Sequence, residues 1–187
     1  MKTFVLLPAL LLLAAALPAQ EKGVAHLNPQ SVNPQSVIRA VIIGISDYQD
    51  PGIPDLQFAH RDAEAFAAWL QSAAGGSVPP ENIQLLLNEK ATQARVAMAF
   101  TALMQQCLED EQAIIFFSGH GDTESKLFDQ PGFLLCWDAP PTVYYAGGTL
   151  LQEIVSTLSL QNKARVLMIS DACHAGRLAA GDNSQPG

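Results

Sequence analysis

Between residues 37 and 169 the chain alternates short apolar runs with longer stretches whose apolar positions recur every three or four residues. The runs are Val37–Ile45, Ile83–Leu87, Ala113–Phe117, Phe133–Trp137 and Arg165–Ile169, mostly β-branched residues, Leu or Phe. Their length and composition predict buried strands. The periodic stretches are Phe58–Leu70, Thr92–Leu108 and Thr149–Leu158; in the second, Val96, Phe100, Leu103, Met104, Cys107 and Leu108 form one stripe at helical spacing. Thr92 suits an N-cap, and Thr149 with Gln152 reads as a capping box opening the third helix. This alternation predicts a three-layer α/β/α fold around a mostly parallel sheet. In such folds reactive groups gather at the carboxyl ends of the strands.

The ends of the chain follow a different pattern. Residues 1–20 start Met1-Lys2-Thr3, run apolar from Phe4 to Leu17 and finish in small residues around Ala14–Ala16 and Ala19. That is a signal-peptide layout. The 14-residue apolar run, interrupted in character by Pro8, is shorter than the roughly 20 residues a membrane span needs. The expectation is therefore export to the periplasm or outside the cell, with no stable membrane anchor. Residues 21–36, with Asn28-Pro29-Gln30-Ser31-Val32 echoed by Asn33-Pro34-Gln35-Ser36-Val37, read as a linker. The catalytic-type domain is expected over 37–178, and 179–187 as a linker-like tail.

Cleavage after residue 20 would leave 9 Lys+Arg against 18 Asp+Glu. Such an acidic chain is a poor ligand for nucleic acid and attracts cationic partners. Its three cysteines, Cys107, Cys136 and Cys173, form no dense framework and no Cys-x-x-Cys, so neither a disulfide scaffold nor structural zinc is expected.

Two short loops carry the chemistry. Ser118-Gly119-His120-Gly121 follows the run Ile114–Phe117, and its glycines let the backbone turn sharply around an imidazole. Asp171-Ala172-Cys173-His174-Ala175-Gly176 follows Val166–Ile169 and sets a thiol among small neighbours. Thiolate nucleophile, proton donor and backbone N–H groups for an oxyanion are what a cysteine peptidase requires. His120 and Cys173 stand 53 residues apart, room for a crossover that returns to the same rim.

With Arg39-Ala40-Val41-Ile42-Ile43-Gly44-Ile45 and His60-Arg61-Asp62-Ala63 added, these pieces resemble the caspases and, more closely, the metacaspases and their bacterial relatives. A histidine about 50 residues before the cysteine is a known caspase trait and counts as part of the resemblance. The resemblance runs from Arg39 to Gly176. It implies Cys173 as nucleophile, His120 as acid–base partner, and an oxyanion hole from the backbone N–H groups of Gly121 and Cys173. It also implies cleavage after Arg or Lys, with Asp62, Ser118 and Asp171 lining the substrate pocket; carboxylates facing a guanidinium fit that choice. The partners implied are protein or peptide substrates with basic residues, and the chain's own C-terminal small-subunit segment. Asp122, Glu124 and Asp129 are too dispersed to form the Asp-rich loop of calcium-requiring metacaspases, so neither metal nor other cofactor is expected. The family continues with further strands where this chain stops at Gly187, so the sheet is expected to be the large-subunit portion, incomplete at its C-terminus.

Blander readings attach to the remaining candidates. Cys107 and Cys136 read as core thiols, His60 as a polar helix-start residue, and Trp69 and Trp137 as packing residues. Asp47-Tyr48 reads by itself as a turn at the same rim, and with the resemblance it is placed to line the cleft. His174 is a rival base, less favourably set than the glycine-flanked His120. Asp62 could serve as a first-turn charge on its helix, and Asp171 as a turn cap. The functional alternatives are a cysteine endopeptidase and a catalytically silent caspase-like module that binds a partner; no Gly-x-Ser-x-Gly elbow supports a serine hydrolase.

Overall fold

The central strand is β1 (Ile38–Gly44), whose run Ala40-Val41-Ile42-Ile43-Gly44 is fully buried. A strand buried on both faces needs covering layers on both sides, and its alternation shows what they are. Val41 and Ile43 face one core with Val96, Ala99, Phe100 and Leu103 of α2 (Gln93–Gln106). Ala40 and Ile42 face the other core with Ala63, Ala67 and Leu70 of α1 (Ala59–Gln71). The computed structural model describes residues 36–123, 132–140, 148–149, 157–160 and 164–172. Within them the expected three-layer arrangement is present. The signal-like segment 1–20, the linker over 21–35, Cys173, His174 and the tail 179–187 lie outside the described residues.

β2 (Ile83–Leu87), β3 (Gln112–Ser118) and β7 (Arg165–Asp171) complete a four-stranded parallel sheet in the order β2-β1-β3-β7. Gly44 is level with Leu87 on one side and Ser118 on the other, and Ser118 with Asp171. All four carboxyl ends therefore reach one rim. Each helix starts there with a borrowed partner. Phe58, at the N-cap of α1, supplies no side-chain acceptor, and Ser46 Oγ in the β1–α1 loop accepts the His60 N–H instead, at 3.1 Å. Thr92 caps α2 as expected, its Oγ1 accepting the Arg95 N–H at 3.3 Å, while Asp138 Oδ1 accepts the Gln93 N–H at 2.7 Å.

Several expectations need correction. The apolar run beginning at Phe133 does not enter the parallel sheet. It forms β5 (Gly132–Leu135), antiparallel to β4 (Gly121–Thr123) and β6 (Gly148–Thr149) in a separate three-stranded sheet. A short apolar run does not reveal whether its partner is parallel or antiparallel, and here the turn after β3 brings a nearby segment back as partner. Thr149 is not a helix cap but a strand residue opposite Leu134; helical residues are found at 157–160. Leu108 drops off the α2 stripe, 62% exposed, because the helix ends at Gln106 and the chain turns through Asp110 at φ 66°. Trp69 is 49% exposed and stacks on Phe66 rather than filling the core. No helix among the described residues is long and apolar enough to cross a membrane.

Candidate active site

β3 delivers its last residues straight to the rim. Ser118 is 3% exposed, and its carbonyl accepts the Ile45 N–H at 3.0 Å, fastening β3 to the end of β1. One residue on, the Gly119 N–H donates to the Asp171 carbonyl at 3.2 Å, fastening the turn to β7. A Cβ at Gly119 would lie 2.9 Å from both Phe117 Cζ and Tyr48 Oη, so the turn is as tight as glycine allows. Gly121 is buried at the start of β4, opposite Leu134.

His120 rides on this turn, half-buried and held at three points. Its N–H donates to the Tyr48 hydroxyl at 2.8 Å, and its carbonyl accepts the Leu135 N–H at 3.0 Å. Its Nε2 lies 2.7 Å from the Pro54 carbonyl oxygen. A carbonyl can only accept, so Nε2 carries the proton in this contact. Nδ1 is then the nitrogen able to take up and give back a proton. The Tyr48 ring lies against the imidazole, centroids 5.2 Å apart and tilted by 46°. The ring's position along the rim is thus fixed by a carbonyl on one side and a phenol on the other.

The register of β3 and β7 organises the other candidates. Asp171, two residues before Cys173 in sequence, is the partner of Ser118, two residues before His120. Adjacent parallel strands are about 4.8 Å apart. Cys173 itself lies outside the described residues, as does its N–H. Asp171 has an exposed side chain, and its backbone carbonyl is spent on Gly119. Asp62 is also exposed, in the first turn of α1, which crosses the end of β1. Ser118 sits between the strand that α1 covers and the strand that carries Asp171, so the three candidate pocket residues share one rim.

Of a second cluster on that rim, only His60 is legible in the sequence. Ser46 is 5% exposed; its Oγ lies 2.7 Å from His60 Nδ1, its N–H donates to Asn88 Oδ1 at 2.9 Å, and its carbonyl accepts the Leu56 N–H at 2.7 Å. His60 is therefore a positioned helix-start residue, as expected of it, and the network holds the first turn of α1 against β1. Pro54 was missed because its contribution is a backbone carbonyl, which carries no side-chain signature. Tyr48 was legible only as a rim position.

A mostly parallel sheet, helices on both faces and a histidine turn at the carboxyl rim define the architecture of caspase-like proteins. Residues 38–186 match the family model described as the caspase domain of the C14 peptidases, and the chain belongs to that family of cysteine peptidases. No curated protein matches. Among solved structures, the crystal structure of a structural-genomics target from Geobacter sulfurreducens is similar over 73% of this chain, with 21% identity and a TM-score of 0.55. The present chain spans 50% of that structure's length. At this identity the likeness speaks for the fold.

Proposed function

We propose that this caspase-domain chain is an exported cysteine endopeptidase that cleaves after Arg or Lys, with Cys173 as nucleophile and His120 as its partner. The observation that carries the reading is His120: its Nε2 is tied to the Pro54 carbonyl, on a turn whose strand lies in register with the strand leading to Cys173. In this scheme the Cys173 thiolate attacks the scissile carbonyl carbon, and backbone N–H groups of Gly121 and Cys173 hold the resulting oxyanion. His120 hands its proton to the departing amine as the C–N bond breaks. Water, deprotonated by the same imidazole, then releases the acyl group and restores the thiol.

The choice of basic residues rests on Asp62 and Asp171. Both are exposed, so each is worth little until a bound guanidinium excludes water from between them. With substrate in place, removing one carboxylate costs on the order of 2 kcal/mol or more, about 30-fold in rate. The test is hydrolysis of matched peptides ending in Arg, Lys, Asp or Leu by the full chain. Cys173→Ala and His120→Ala should abolish turnover. Asp171→Ala and Asp62→Ala should each slow Arg cleavage by about 30-fold or more, while Glu124→Ala leaves it unchanged. Faster cleavage after Asp than after Arg would overturn the acidic pocket. Absence of all turnover, with Cys173 no more reactive toward iodoacetamide than the buried Cys107, would favour the partner-binding alternative.

A further inference from the structure

We propose that Tyr48 is a positioning residue for the His120 imidazole, its buried hydroxyl accepting the His120 backbone N–H and holding the glycine turn on which the ring rides. The proposal rests on the reading of His120 as the acid–base partner.

The first support is that Tyr48 is itself over-determined. It is 5% exposed in a loop whose backbone is tied on both sides. Before it, the Ile45 N–H donates to the Ser118 carbonyl at 3.0 Å and the Ser46 N–H to Asn88 Oδ1 at 2.9 Å. After it, the Gln49 N–H donates to the Trp137 carbonyl at 3.0 Å. The phenol is therefore a fixed post.

The second support is that the turn is shaped to meet this post. A Cβ at Gly119 would come within 2.9 Å of the Tyr48 hydroxyl oxygen, so any other residue there would push the two apart. The hydroxyl takes the N–H of the very residue whose side chain must be aimed, at 2.8 Å, and the phenol ring flanks the imidazole at 5.2 Å. Pro54 and Tyr48 thus fix different degrees of freedom: the carbonyl selects the nitrogen that holds the proton, and the phenol fixes the backbone from which the ring projects. Neither acceptor is reproduced by another described contact of His120.

A third point concerns protonation. Burial is the main cause that pushes the Tyr48 phenol well above its usual range, with Cys136 adding and the His120 N–H opposing. The phenol stays neutral over any working pH and gives or takes no proton in turnover. Its contribution is geometric.

Tyr48→Phe keeps the ring and removes the acceptor, leaving the His120 N–H without its partner. In peptide hydrolysis kcat should fall by about 10-fold with KM unchanged, as expected for losing one well-aligned hydrogen bond that matters in the transition state. Phe100→Leu, a core change on α2 at a residue that takes no part in the contacts holding His120, serves as the stability control and should lower the melting temperature without lowering kcat. A readout independent of activity is the nuclear magnetic resonance spectrum of His120. In the wild type its amide should be protected from exchange and its ring should show one dominant tautomer, protonated at Nε2. In Tyr48→Phe the amide should exchange at least about 10-fold faster and the second tautomer should appear. An unchanged kcat together with an unchanged His120 spectrum overturns the proposal, as does a kcat loss matched by Phe100→Leu at equal melting temperature. If Tyr48→Phe does not fold, exchange of the wild-type His120 amide at the rate of an exposed loop overturns it equally. A chain that cleaves no peptide but shows the spectral changes retains the Tyr48 tie and loses the peptidase reading, so the two failures are distinguishable.

Discussion

Cys107 and Cys136 are each 2% exposed, and burial pushes the Cys107 thiol up, with Glu111 adding to the effect and Arg39 opposing it. A raised thiol pKa means less thiolate at neutral pH, and thiolate is the reactive form. Cys107 for that reason, and both residues because they are buried, should resist brief iodoacetamide at pH 7 and react only after guanidinium unfolding. Cys173, the nucleophile of the proposed mechanism, should label first. Peptide mapping reads the order directly, and modification of Cys107 ahead of Cys173 would sink the nucleophile assignment. These core thiols were legible in the sequence because both sit among apolar neighbours, although Cys107 proves to be the C-cap residue of α2 and Cys136 to follow β5.

At the scale of elements, α1 owes its position to one glycine. A Cβ on Gly44 would lie 2.5 Å from the Ala59 carbonyl oxygen, 2.5 Å from Ala63 Cβ and 2.9 Å from His60 Cα. Two of those atoms are helix backbone, so Gly44→Ala must move the helix itself. Overpacking of this kind costs about 1–3 kcal/mol, which for a domain this size lowers the melting temperature by roughly 2–4 °C per kcal/mol. Because Asp62 rides on the displaced turn, cleavage after Arg should weaken more than cleavage after Leu. Differential scanning calorimetry and the matched peptides would check both; an unchanged melting temperature would mean that α1 is not held as closely as described. The strands of the parallel sheet and both long helices were legible because β-branched runs and a 3.6-residue stripe are local signals. Thr149 was misread as a helix cap, and Phe133, rightly read as part of a buried strand, pairs antiparallel outside the parallel sheet, because strand partners are chosen by tertiary pairing, which outranks a local capping pattern. His120 stood out through its flanking glycines, whereas Tyr48 and Pro54 act through contacts 72 and 66 residues away, which no local pattern encodes.

Across the whole molecule, the sheet separates structure from chemistry. At the amino-terminal rim, Arg39 Nε donates to Glu111 Oε2 at 3.1 Å and Arg39 Nη1 to Asn82 Oδ1 at 3.3 Å. Glu111 Oε2 also accepts the Leu108 N–H at 3.0 Å, and the Glu111 carbonyl accepts the Arg165 N–H at 3.0 Å. This knot ties β1, β3 and β7 together where their side chains are partly shielded, Arg39 being 23% and Glu111 14% exposed. At about 3.3 Å per residue, a seven-residue strand sets it roughly 20 Å from the carboxyl rim. Glu111→Ala should therefore cost stability without touching catalysis. Loss of a charge-assisted, partly buried contact is worth about 1.5–3 kcal/mol, or about 3–12 °C in melting temperature. The value of kcat/KM per folded molecule, measured well below the transition, should stay within about 2-fold of the wild type, since sites this far apart with no shared partners act independently. A fall of 10-fold or more with no change in melting temperature would show that the amino-terminal rim communicates with His120, and that the sheet does not divide the two roles.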